Sequence, residues 1–165
     1  MIKNPFRSEI RIWPPRNPAK LCEPVHWTNK VIPPSLEKVT YAALAQYPEL
    51  KDSYIIVVEK MLHGIQHTLR SYPPLLQLLK QKKNRVYSIV INTNRNIPNS
   101  FYRLSEVEQI GLLAHEFAHT LDYSHRSSCS LVGFAFSWLS KRFVHKLERA
   151  IDETAISRGY APELL

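Results

Sequence analysis

The stretch Leu112-Leu113-Ala114-His115-Glu116-Phe117-Ala118-His119-Thr120-Leu121 constrains this chain more than any other. With Ile110 before it, the segment is apolar around nearly its whole circumference, so a helix here must be buried. It also carries His-Glu-x-x-His. Residues i and i+4 share a helical face, so His115 and His119 can aim both imidazoles at one point. Glu116 is turned about 100° from His115, beside that point. Burying two imidazoles and a carboxylate without partners is costly, and a bound cation removes the objection. Zinc is the cation this donor set suits: the ion acidifies a water and the adjacent carboxylate takes its proton. The plainer alternative is a pair of hydrogen-bonded core histidines with no metal.

Zinc hydrolysis needs a third ligand, and two candidates compete. His125 lies six residues after His119, the metzincin spacing His-Glu-x-x-His-x-x-Gly-x-x-His. That pattern needs a sharp turn at its Gly, where this chain has Asp122, and a downstream methionine, whereas Met1 and Met61 both lie upstream. The other candidate is Glu148-Arg149-Ala150-Ile151-Asp152. Glu148 and Asp152 share one helical face next to an apolar stripe of Leu147, Ile151 and Ala155, while Glu153 points elsewhere. Glu148 completes a His₂Glu zinc set with a position open for water, and Asp152 can accept the free ring N–H of a ligand histidine.

His-Glu-x-x-His followed by Glu-x-x-x-Asp on a later helix resembles the gluzincins, the thermolysin-like zinc peptidases. The layout is also similar to small bacterial zincin-like proteins. The resemblance covers residues 105–160. It implies zinc held by His115, His119 and Glu148, Glu116 as general base, Asp152 orienting a histidine, and peptide or protein substrates. It further implies an α+β fold of minimal zincin type: a backing helix, a small three-stranded sheet, the active-site helix and a C-terminal glutamate helix. An oxyanion donor is expected among Tyr123, His125 and Tyr160.

Two regions are expected: a Pro-rich arm over 1–34 and a zincin-like catalytic domain over 35–165. Seven of the twelve prolines fall in the arm, which should run extended over the surface, docked by Phe6, Ile10, Ile12, Trp13 and Trp27. Cys22 or His26 in it can be read as an inhibitory zinc ligand, though a strap over apolar surface is the simpler reading. Ser35 reads as a helix N-cap followed by Leu36, Val39, Ala43 and Tyr47 at helical spacing. Tyr54–Glu59, 65–72 and Val86–Asn92 read as strands, the last with Tyr87, Ile89 and Ile91 on one face and taken as the edge strand that receives substrate. Residues 75–79 read as a helical turn. Ser105 and Glu108 form a capping box for the motif helix, residues 122–130 a loop, and 131–158 helix, with or without a break, ended by Gly159.

A net charge of +8 favours anionic partners, so the rival function is a non-catalytic zincin-like module that binds nucleic acid or another anionic partner. The charge is scattered, however, and its densest clusters (Lys80, Lys82, Lys83, Arg85; Lys141, Arg142, Lys146, Arg149) read as solvated faces. No apolar run reaches membrane-span length, the longest being 131–139, which reads as core rather than membrane-surface anchor. Two cysteines without Cys-x-x-Cys and no signal-peptide core make the cytoplasm the expected location.

Overall fold

In the computed structural model, residues 27–64, 68–72, 77 and 80–160 are described. The readings of Phe6, Ile10, Ile12, Trp13, Cys22 and His26, of residues 65–67 in the second strand, and of most of 75–79 lie outside them. The described residues form an α+β fold. The elements are β1 (Lys30–Val31), α1 (Glu37–Leu44), β2 (Tyr54–Lys60), β3 (Leu69–Tyr72), β4 (Val86–Asn92), α2 (Glu106–His125), α3 (Ser128–Ser137) and α4 (Lys141–Ala155).

The sheet has four strands in the order β1-β2-β4-β3, one more than the sequence reading. The addition is β1, a two-residue strand inside the Pro-rich stretch that pairs parallel with β2. Lys30 fixes it there, donating through Nζ to the carbonyls of Thr28, Leu50, Lys51 and Ser53 at 2.7–3.0 Å. β2 and β4 pair in parallel from Tyr54–Val86 to Lys60–Asn92, whereas β3 runs antiparallel to β4. β4 is therefore central, which corrects its reading as the edge strand. Its alternation, with Tyr87, Ile89 and Ile91 buried between half-buried Val86, Ser88 and Val90, marks the buried face but not the strand's place in the sheet. The open edge beside the helices belongs to β3.

One face of the sheet (Ile55, Val57, Tyr87, Ile89, Ile91) is buried under the helices together with Leu44, Leu113, Phe117 and Leu121. α2 begins with the expected capping box: the Ser105 hydroxyl accepts from the Glu108 N–H, and the Glu108 carboxylate accepts from the Ser105 N–H. Ser35 is not a cap. A 3₁₀ turn over Pro34–Leu36 precedes α1, whose N-cap position is Leu36, without a side-chain cap.

The loop read over 122–130 is mostly helix, because Asp122 and Arg126 pair across one turn at 2.6 Å and carry α2 on to His125. Only Arg126 and Ser127 separate α2 from α3. Arg85, read as part of a solvated cluster, is instead buried: its guanidinium donates to the Arg126 carbonyl and Ser128 Oγ, both at 2.8 Å. Lys82 donates to the carbonyl of His125 at 2.7 Å, so this cluster caps the end of α2. The long final helix breaks between Ser137 and Lys141, and Gly159, at φ +100°, interrupts the last helical turn among the described residues, Ile156–Tyr160, as expected. Of the 131–139 run, Leu131 and Phe134 are core, while Val132, Phe136 and Leu139 are exposed. Among the described residues no helix is long and apolar enough to cross a membrane.

Candidate metal centre

α2 is rigid where it matters because Leu113, Ala114, Phe117, Ala118 and Leu121 are fully buried around the motif. Its His115 and His119 rings stand 4.9 Å apart, centroid to centroid. α4 packs against α2 through Leu147, Ala150 and Ile151, which brings its bordering carboxylates over the imidazoles. Glu148 Oε2 lies 3.4 Å from Nε2 of His115 and 3.4 Å from Nε2 of His119. The three ligand atoms fall within 4.8 Å of one another. Zinc bonds of about 2.0–2.1 Å in a tetrahedron separate neighbouring ligand atoms by roughly 3.3–3.4 Å. The two histidine–glutamate spacings already have that value, and the donor set of two imidazoles and one carboxylate suits zinc.

Asp152 Oδ1 lies 2.8 Å from His115 Nδ1, which leaves the other ring nitrogen turned to Glu148. Burial alone would push the His115 imidazole down. Hydrogen bonds to Asp152 and Glu148, with Glu116 nearby, outweigh it and raise the pKa to about 10. The same bonds to His115 and His119 hold the Glu148 carboxyl well below its ordinary range despite partial burial. Both shifts favour the imidazolium–carboxylate pair over its neutral forms. His119 is held differently: its buried Nδ1 has no hydrogen-bond partner among the described residues, and its ring stacks on Tyr123 with 5.9 Å between centroids.

Glu116 is buried, and its Oε2 accepts the backbone N–H of Ser71. The register explains why that N–H is available. Thr68 bonds to Asn92 across the ladder, so residues 68, 70 and 72 turn their backbone groups toward β4, while Leu69 and Ser71 turn theirs to the open edge. The Ser71 hydroxyl meets Thr120 Oγ1 at 3.1 Å, fastening the strand to α2 one turn past Glu116.

The oxyanion candidates separate. Tyr123 lies beneath His119; burial, then the charges of Glu116, Asp122 and Glu148, push its phenol far above the ordinary tyrosine value, so it stays a proton donor. His125 ends α2 and does not join the metal-competent group of the described residues, which is His115, His119 and Glu148. The metzincin turn is also missing, since Asp122 is helical and bound to Arg126. Tyr160 is structural: its hydroxyl donates to the carbonyls of Ala43 and Ala42 at 2.8 and 3.1 Å, and its ring stacks on Tyr47. Sequence reasoning missed Ser71, whose contribution is a backbone N–H that any residue but proline supplies.

Comparison with protein families, with curated proteins and with solved structures finds no match to this chain.

Proposed function

We propose that the protein is a zinc-dependent metallopeptidase of gluzincin type, with His115, His119 and Glu148 as ligands and Glu116 as general base. The observation that carries this reading is the Glu148 carboxylate 3.4 Å from both imidazoles, with Glu116 on the same helix as the imidazoles and pinned by Ser71. A zinc ion held by these ligands would lower the pKa of a water towards about 7 and polarise a scissile carbonyl. Glu116 has one oxygen engaged by the Ser71 N–H, so the other is the one that accepts a proton and passes it to the leaving amine. Asp152 keeps His115 in one tautomer and orientation. Tyr123, protonated and buried beside both glutamates, is the donor for the developing oxyanion.

The substrate lies along β3 rather than β4. The edge-facing backbone groups of Leu69, with the Ser71 carbonyl, pair with an extended peptide by strand addition. A cytoplasmic location is part of the same proposal, in keeping with Cys129, which is exposed and unpaired among the described residues. The test is cleavage of a mixed peptide library by zinc-loaded protein. Wild type should produce defined new N-termini and Glu116→Gln none. Equal cleavage by both removes Glu116 as base, and no cleavage by zinc-loaded wild type removes the peptidase reading in favour of an anion-binding module.

A further inference from the structure

Arg70 sits on the edge strand, one residue before the Ser71 N–H that holds Glu116. Its guanidinium carbon lies 4.9 Å from the Trp138 ring, at the end of α3, and 5.5 Å from the ring of Tyr72. Trp138 packs on Phe134, Phe134 on Tyr123, and Tyr123 on His119, so an unbroken aromatic chain joins Arg70 to the metal ligands. The Tyr123 hydroxyl feels the charges of Glu116, Glu148 and Arg70 together, which sets the guanidinium within electrostatic reach of the centre.

Among the described residues no carboxylate is paired with it. Arg126 has Asp122 and Arg158 has Glu49, but Arg70 makes no ion pair and no side-chain hydrogen bond among the described residues. Aromatic rings contact a guanidinium through its faces and leave the five N–H donors around its edge unused. They also fix its plane, so little side-chain freedom is left to lose when a planar anion arrives. A half-buried, oriented fork with empty donors matches a carboxylate in shape and charge.

We propose that Arg70 is the specificity residue of the site and receives a carboxylate of the substrate, so that the preferred peptide presents one where β3 meets the end of α3. The proposal rests on the peptidase reading and deepens it. The carboxylate has two sources, a peptide C-terminus or an Asp or Glu side chain, and one experiment separates them.

Zinc-treated Glu116→Gln protein, which should hold peptide without turnover, is titrated with two pairs of N-acetylated tripeptides and binding is followed by calorimetry. One pair differs only in a C-terminal carboxylate against a carboxamide; the other, amidated at the C-terminus, differs in a central Glu against Gln. One charged member should bind roughly tenfold tighter or better than its neutral twin, the range of a charged hydrogen bond. The pair that discriminates names the source. Adding Arg70→Gln should erase the difference, and Arg70→Lys should keep part of it. Absence of discrimination in both pairs, or its survival in Arg70→Gln, overturns the proposal. Zinc content of the same samples reads the peptidase hypothesis separately. A zinc-free protein that still discriminates keeps Arg70 and sinks the metal; a zinc-loaded one that does not discriminate does the reverse.

Discussion

At the scale of single residues, the proposed centre divides labour among its side chains, and several of these roles have a distinct expected failure. Glu116→Gln keeps the size and the Ser71 hydrogen bond but cannot accept a proton. It should retain zinc while turnover falls by about a hundredfold or more, read by parallel metal analysis and peptide cleavage. Asp152→Asn keeps the contact with His115 but loses the charge, and should weaken zinc binding by about ten- to a hundredfold, measured by competition with a chelator. The pH dependence follows from His115. Its folded pKa of about 10 lies above the ordinary 6.5, so the stabilisation of the metal-free protein is complete below 6.5 and is lost as pH rises through 10. Zinc must displace that proton, so apparent affinity should rise about tenfold per pH unit across this interval and fall on acidification. Calorimetric titration at pH 8 in two buffers of different ionisation enthalpy should register a released proton; buffer-independent heat contradicts the assignment.

At the scale of elements, the centre depends on how α2 is ended and how β3 is held. Arg85 fastens the α2–α3 corner from the start of β4 through two hydrogen bonds of 2.8 Å. Arg85→Met should destabilise the fold by about 1–3 kcal/mol in urea denaturation, because the Arg126 carbonyl loses a buried charged donor. The basic cluster around residue 85 looked solvated in sequence because burial of a long cation by backbone carbonyls leaves no periodic trace. The same holds for Lys30 and its four carbonyls, and hence for β1. By contrast, helix α2 and strands β2 and β4 were readable, since capping box, apolar period and alternation are local signals. What alternation could not give was strand order. Val86–Asn92 looks alike at an edge or at the centre, and its place is decided by β3 folding back on its far side.

At the scale of the whole molecule, a small sheet covered on one face by helices brings residues 115, 119 and 148 together across long stretches of chain. The two imidazoles were legible because i,i+4 spacing is geometry. Glu148 and Asp152 were legible because the same rule marks one face of α4 beside its apolar stripe. Ser71, Arg70 and Trp138 were not, because their roles arise only once the edge strand meets the helices. A ligand that binds only the folded state raises its stability by mass action, so excess zinc should raise the thermal midpoint and a chelator should lower it. The most direct test of the shared centre is zinc content of the purified wild type against Glu148→Ala by elemental analysis. One zinc per chain in the wild type and its loss in the variant are predicted. A metal-free wild type, or a Glu148→Ala protein that keeps its zinc, would contradict the account.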